Sequence, residues 1–304
     1  VLQYRQGLVE WWQVILEEQI SEFLNVLEHG KGYAPNTVEA YRNDLTQFVR
    51  FAQAERPTAT QWNRVDKPLL LTFILHLKER GYTPASIARK LAVLKTFFHF
   101  LIERRSIADD PTATLGSPKV EKRAPQILSA DEIARLMDAP TKNHTPKGLR
   151  DCAILELLHA SGVRVTELAL LDQDDVNVSA QTLQVGKAGK RRVVPLPPRA
   201  LDALARYLAR GRPELVARAD ERALFVNPHG ARLTRQGLWL IIKEYVHAAG
   251  ITPPVTPHTL RHSFAVRLLN AGTDLPAVQR LLGHANLSTT QMYARLTNNA
   301  ERGD

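Results

Sequence analysis

The chain is poor in the residues that mark several large protein classes. It has one cysteine in 304 residues, Cys152, which excludes disulfides within the chain and cysteine-rich zinc sites. That residue sits in an apolar helical segment and suits a reducing cytoplasm. No hydrophobic run is long enough to span a bilayer, no secretory leader is evident, and no Gly-x-x-x-x-Gly-Lys-Ser/Thr loop offers a nucleotide phosphate site. Internal repeats and low-complexity tracts are missing as well.

What is present describes a soluble globular protein with room for two domains: 44% hydrophobic residues and 23% charged. Forty Lys and Arg face 31 Asp and Glu, a net charge of +9 that favours a polyanionic partner. The excess is uneven. Residues 1–120 carry 15 basic and 13 acidic side chains, whereas residues 121–304 carry 25 and 18.

Hydrophobic periodicity predicts four helices, at 8–28, 36–54, 67–80 and 84–104, separated by Gly30 and Gly32, by Pro57 and by Gly81. It lapses from Asp109 to Pro125, where Pro, Gly and charge accumulate. We therefore expect an N-terminal helical domain over 1–115, a linker over 116–126 and a second domain over 127–304. In the first helix Trp12, Ile15, Leu16, Ile20, Phe23 and Leu27 form an apolar stripe. Glu17, Glu18, Glu22 and Glu28 would be repelled by a polyanion, so this helix should pack on protein, within its own domain and against a neighbouring protomer. In the fourth helix Leu91, Leu94, Phe98 and Leu101 form the core stripe. That arrangement leaves Arg89, Lys90 and Lys95 outward, as phosphate contacts or as a solvated face.

In the second domain, Ser129-Ala130-Asp131-Glu132 reads as a capping box. The alternating run Val176, Val178, Leu183 and Val185, followed by Val193-Val194-Pro195-Leu196, reads as a β-hairpin whose tip carries Lys187, Lys190, Arg191 and Arg192. The stretches 201–208 and 236–249, the latter with Trp239, Ile242 and Val246, read as core helices.

The chemistry concentrates in 36 residues near the C-terminus. Thr256-Pro257-His258 opens a helix with an N-cap and a proline at its first position, and Gly272 closes it. At 100° per residue, Phe264, Ala265, Leu268 and Leu269 define an apolar arc containing both His258 and Arg261, which predicts that both point inward. Burying a lone guanidinium is costly, so Arg261 meets an acidic partner or lines a cleft that receives an anion. Asp274 caps a second helix that stops at Gly283 and presents His284. Ser288-Thr289-Thr290-Gln291 then reads as a capping box opening a third, with Tyr293 in its second turn.

The order His-x-x-Arg, then Gly-His, then a tyrosine nine residues after that histidine resembles the tyrosine site-specific recombinases of the phage integrase family, and 282–293 is similar to their Xer-like branch. Ala160-Ser161-Gly162-Val163-Arg164-Val165-Thr166-Glu167 matches that family's first arginine motif, and Lys187 falls at its hairpin lysine. Pro35 to Leu45 resembles the opening of its second helix.

The resemblance implies a mainly α fold, shared with type IB topoisomerases. A helical core-binding, DNA-binding domain and a mostly helical catalytic domain with a small antiparallel sheet would close on duplex DNA like a clamp. It further implies that Tyr293 is the nucleophile and that the strand is held as a 3′-phosphotyrosyl ester. Arg164 and Arg261 would hold the non-bridging oxygens, with His284 on a phosphate oxygen, His258 helping to remove the phenol proton, and Lys187 protonating the departing 5′ oxygen. Glu167 would buttress a neighbouring site group, and Lys190, Arg191 and Arg192 would grip the DNA backbone.

No cofactor or metal enters this scheme. The partners it implies are a double-stranded recombination site and three further protomers, identical or in part paralogous, in a tetramer on two sites. A DNA translocase stays open as an additional partner, and the setting is cytoplasmic, at the nucleoid. Eleven residues follow Tyr293, fewer than in Xer-like relatives, whose tail packs into the adjacent protomer, so that contact is expected to weaken.

Two other readings fit parts of the pattern. One is an accessory DNA-binding protein that no longer cuts. The other is a zinc hydrolase using His258 and His262 at i and i+4 with His284, although this helix lacks the glutamate of His-Glu-x-x-His and Arg261 would repel the cation.

Overall fold

A computed structural model describes residues 16–57, 61–116, 118, 125–186, 189, 191–284 and 286–300. They fall into two compact units that divide between Lys122 and Arg123.

The first unit is helical. Its elements are α1 (16–25), which ends in a π turn at Val26–Gly30, α2 (Pro35–Glu55), α3 (Lys67–Glu79) and α4 (Pro84–Glu103). The breaks follow local chemistry. Asp66 accepts from the Leu69 N–H and Thr83 from the Ser86 N–H, each before a proline in the first helical turn.

The core is aromatic. Phe97 meets Phe23 edge-on at 5.2 Å and Trp62 at 4.7 Å, and Phe48 meets Phe73 at 5.1 Å, so rings from α1, α2, α3 and α4 interlock. Leu16, Ile20, Phe23 and Leu27 are buried as the apolar stripe requires, and Glu17, Glu18, Glu22 and Glu28 are exposed. Trp12 and Ile15 lie outside the described residues.

The basic face expected on α4 is different in the structure. Lys90 is not outward: it is buried, and its Nζ donates to Asp44 Oδ1 at 2.7 Å and to Gln47 Oε1 at 2.6 Å. Arg89 is exposed but forks onto the same Asp44 carboxylate. Lys95 is half-buried and donates to the Leu115 carbonyl at 2.6 Å. Lys90 falls in the i, i+3, i+4 series Ile87, Lys90, Leu94, Phe97 and Leu101, so helical geometry directs it inward, where Asp44 on α2 compensates the charge.

The second unit contains α5 (Ala130–Asp138), α6 (Pro146–Ser161), α7 (Val165–Ala169), β1 (Val176–Asn177), β2 (Thr182–Val185), β3 (Arg192–Pro195), α8 (Pro198–Arg206), α9 (Arg212–Leu215), α10 (Arg235–Ala248), α11 (Pro257–Asn270), α12 (Leu275–Leu282) and α13 (Leu287–Ala300). A π turn at Tyr207–Gly211 joins α8 to α9. The Ser129 capping box forms, with Ser129 accepting from the Glu132 N–H and Glu132 from the Ser129 N–H.

The strands make one antiparallel sheet in the order β1-β2-β3, with Leu183 opposite Val194 and Val185 opposite Arg192. Leu183, Val185 and Val194 are buried, so Arg192, two residues from Val194, leaves the strand on the core-facing side. Val178 departs from the alternating pattern: β1 stops at Asn177, and Val178 lies exposed in the turn. Trp239 is likewise not core. It is 42% exposed on α10, with the Lys243 ammonium 5.3 Å over its ring, while Leu238, Ile242 and Val246 fill the interior. Among the described residues no helix is long and apolar enough to cross a membrane.

Because Asp44 is the counter-ion for buried Lys90, Asp44→Ala should destabilise the first unit by about 3 kcal/mol, and Asp44→Leu with Lys90→Met should recover most of that loss. Amide hydrogen exchange across α2 and α4 measures both, and equal protection in the single and double variants would contradict the pairing.

Candidate active site

The end of α12 organises the site. A helix leaves its last carbonyls without intrahelical partners and carries partial negative charge there. Here α12 stops at Gly283, in the left-handed region at φ +64°. Three guanidiniums from distant segments take up the open carbonyls. Arg192 donates to Leu281 O at 2.7 Å. Arg261 donates to Leu282 O at 2.5 Å, and Arg164 to Leu282 O at 3.3 Å and Gly283 O at 2.9 Å. A Cβ at Gly283 would stand 2.9 Å from Arg192 Nη1, so glycine is required both for its φ and for the close approach.

Arg164 is the N-cap residue of the short helix α7, just after Gly162 ends α6 at φ +57°. An added Cβ at Gly162 would lie 2.3 Å from the Phe264 ring, so the absence of a side chain lets α6 pack closely on α11. Arg261 also donates to the Gly162 carbonyl at 2.5 Å, which fixes its direction from both sides.

Glu167 supplies the counter-charge. It accepts from Arg192 Nη1 and Nη2 at 2.7 and 2.9 Å, from Arg164 Nη1 at 3.2 Å and from the Arg164 N–H at 2.8 Å. Burial alone would raise its carboxyl, but the hydrogen bonds and charges of the two arginines hold it below the usual carboxylate range. Burial and the neighbouring Arg164 lower Arg261 to about 10, which leaves it charged at neutral pH. Arg261 is 4% exposed and its bonds run to carbonyls rather than to a carboxylate of its own. The cluster therefore suits an anion.

Tyr293 reaches this cluster from α13, which packs on α11 and α12. The ring is 2% exposed among Phe264, Val278 and Leu282, and its hydroxyl lies 2.8 Å from His262 Nδ1. Burial raises the phenol, and the charges of Arg261 and Arg164 act in the opposite direction. His284 stacks 6.2 Å from the Tyr293 ring, with Nδ1 2.9 Å from Thr290 Oγ1. Burial, then the nearby Arg261, Arg164 and Arg192, push His284 down to about 4, so it is neutral near pH 7.

The structure thus brings Arg164, Arg261, His284 and Tyr293 together, and several expectations change. His258, expected to point inward with Arg261, is exposed; the ring that meets the phenol is that of His262, one turn later. Helix α11 explains this, because it is buried on nearly every side and an apolar arc cannot single out one face. His262 was legible only as the i+4 neighbour of His258.

Arg192 ties the sheet to α7 and α12 instead of extending toward solvent, whereas Arg191 is exposed and bonded to Gln184 at 2.8 Å. Lys187 and Lys190 lie outside the described residues. Helix α13 begins at Leu287, so Ser288 is inside it and not its cap. Among the described residues no three His, Cys, Asp or Glu side chains gather as a metal cage, and His262 and His284 each direct a ring nitrogen at a hydroxyl.

Comparison with known proteins gives the family of the chain. The phage integrase family model matches residues 126–300, and the phage integrase N-terminal SAM-like domain matches 20–105. The chain belongs to the phage integrase family. It is 44% identical over 284 residues to a protein named tyrosine recombinase XerC from Herpetosiphon aurantiacus, covering 93% of this chain and 92% of that one. It is 40% identical over 285 residues to tyrosine recombinase XerD from Oceanobacillus iheyensis, covering 93% and 95%. A XerH site-specific recombinase solved in a post-cleavage complex with palindromic difH substrate shares the fold, with a TM-score of 0.72 at 20% identity over 92% of this chain and 82% of that one.

For a tyrosine recombinase with this arginine cluster, the protonation of His284 is a direct readout. Its folded value lies below its ordinary one, so the unfolded chain binds the extra proton first. The stabilising contribution of the neutral ring is complete above about pH 6.5 and is lost as pH falls toward about 4. NMR titration should find the His284 midpoint at about 4, and a midpoint at 6.5 would contradict the arrangement. Glu167→Gln should slow DNA cleavage about 10-fold or more by loosening Arg164, measured in single turnover, and should do so without abolishing DNA binding.

Proposed function

We propose that the chain cuts and reseals duplex DNA at a specific site through a covalent 3′-phosphotyrosyl intermediate. The observation that carries this reading is a buried tyrosine, Tyr293, within electrostatic reach of two fixed guanidiniums, Arg164 and Arg261, that have no carboxylate wholly their own.

The Tyr293 oxygen attacks the phosphorus, the bond from phosphorus to the 5′ oxygen breaks, and the leaving alkoxide takes a proton from Lys187. Arg164 and Arg261 neutralise the two non-bridging oxygens as charge builds, a task suited to planar forks already oriented by the α12 carbonyls. His284, neutral and oriented by Thr290, and the exposed His258 hydrogen-bond phosphate oxygens. The phosphotyrosyl link retains the ester's energy, so a second 5′-hydroxyl can displace Tyr293 without ATP. The outcome is strand exchange, not hydrolysis.

Arg191, Lys190, Arg89 and Lys95 contribute backbone contacts, with Lys90 holding Asp44 and so Arg89 in place. Protomers assemble as a tetramer on two sites, alone or with a paralogue, and act on DNA in the cytoplasm. The resemblance to the Xer-like branch favours chromosome- or plasmid-dimer resolution. Integration and excision of a mobile element uses the same chemistry.

Purified protein incubated with fragmented genomic DNA of its source should yield a detergent-resistant adduct at discrete positions, each with a free 5′-hydroxyl. Tyr293→Phe should abolish the adduct while leaving DNA binding intact, and Arg261→Ala should slow its formation about 100- to 1,000-fold. The absence of any adduct, or an adduct that persists in Tyr293→Phe, would overturn the proposal.

A further inference from the structure

We infer that His262 is the general base of the cleavage step: its Nδ1 takes the Tyr293 phenol proton as the phenol oxygen attacks phosphorus, and returns it when the strand is resealed. This rests on the reading of Tyr293 as the nucleophile and adds the identity of the group that activates it.

Geometry comes first. A base must stand within hydrogen-bond reach of the proton it removes, and His262 Nδ1 is 2.8 Å from the Tyr293 hydroxyl, with ring centroids 5.4 Å apart. His258, one turn earlier on α11, is exposed, and its ring centroid is 6.3 Å from that of His262. The need for a base is also visible. Tyr293 is almost fully buried, and burial favours its neutral form, so the two arginines do not ionise it unaided at neutral pH.

The groups the structure sets against His262 are His258 and Arg261 on its own helix, Tyr293 on α13 and His284 just after α12, while Arg164 and Arg192 act on Arg261 and His284. Burial, then His258 and Arg261, hold His262 below its ordinary value and so favour the neutral ring, and the tautomer with its proton on Nε2 presents Nδ1 to the phenol as an acceptor.

The proton balance closes. As the bond from Tyr293 Oη to phosphorus forms, the phenol proton moves to Nδ1. As the bond to the 5′ oxygen breaks, that oxygen takes a proton from Lys187. Rejoining reverses both transfers. In the imidazolium stage the positive charge lies beside the new phosphodiester anion, which compensates it. His258 is then left to the phosphate oxygens.

The test uses the full chain and a nicked suicide duplex carrying a cleavage position recovered by adduct mapping. His262→Asn keeps a polar group near the Nδ1 position but cannot take a proton. It should cleave about 100- to 10,000-fold more slowly than wild type while binding the duplex equally well. The wild-type rate should level off above the His262 titration, whereas the variant's rate should keep rising with pH toward phenol ionisation. Imidazole added to His262→Ala should restore part of the rate.

A second substrate separates base from acid. With sulfur replacing the bridging 5′ oxygen, the leaving thiolate needs no proton, so Lys187→Ala should recover and His262→Asn should not. Wild-type adduct together with an undiminished rate and unchanged pH profile in His262→Asn would overturn this assignment alone. So would faster cleavage in His262→Ala, which would make the histidine a restraint on the tyrosine. No wild-type adduct on any duplex would instead remove the recombinase reading beneath it.

Discussion

The site depends on one helix end. The carbonyls of Leu281, Leu282 and Gly283 are the acceptors a finished helix leaves open, and three arginines from α7, β3 and α11 close on them. Each partner solves the other's problem: the carbonyls orient the cations, and the cations satisfy acceptors that the helix leaves without intrahelical donors. Carbonyl dipoles, however, bring only partial negative charge. Glu167 is shared between Arg164 and Arg192, and Arg261 has no carboxylate partner among its hydrogen bonds, so the cluster stays electropositive at its centre. Burial first, and then the neighbouring positive charge, lowers both Arg261 and His284. A phosphodiester supplies what the fold withholds.

Much of this is legible in the sequence. Helix boundaries in both units follow caps and prolines whose chemistry is local, which is why Thr256, Asp274 and Ser129 were readable as starts and Gly283 as a stop. The family resemblance singled out Arg164, Arg261, His284 and Tyr293, four residues that the fold gathers at the end of α12. What was not legible depended on partners remote in sequence. Lys90 looks like a surface charge until Asp44, 46 positions away, is seen beside it. Arg192 belongs to a run of basic residues that invites a DNA-contact reading, yet its register opposite Val185 turns it toward Glu167. His258 and His262 could not be ranked from α11 alone. Pro257, Thr259, Leu260, Arg261, Ser263, Phe264, Ala265 and Val266 are all buried, so the helix has no single apolar face from which to reason.

The two kinds of error share a cause. Amphipathic logic assumes that a charged side chain marks the solvent side, and it fails wherever charge is buried with compensation. Among the described residues the first unit contains one such place and the second several, including Arg150, whose guanidinium is held by Asp151 at 2.8 Å and by the Val226 carbonyl at 3.0 Å. In the Lys90 and Arg150 pairs the compensation is internal and the role is structural. Around Arg261 it is incomplete, and incomplete compensation is what separates a binding site from a scaffold.

The burial of Tyr293 then acquires a chemical sense. An enzyme that stores the ester's energy in a tyrosyl link must keep water from attacking that link before a second strand arrives. A tyrosine buried among Phe264, Val278 and Leu282, with the imidazoles of His262 and His284 beside its ring, suits that demand. Enclosure has a cost, because a buried phenol resists ionisation and solvent is poorly placed to take its proton. A proton acceptor built into the same wall resolves the conflict, and a neutral histidine in direct contact with the hydroxyl meets both requirements at once. Water exclusion and nucleophile activation are then two consequences of packing α13 against α11.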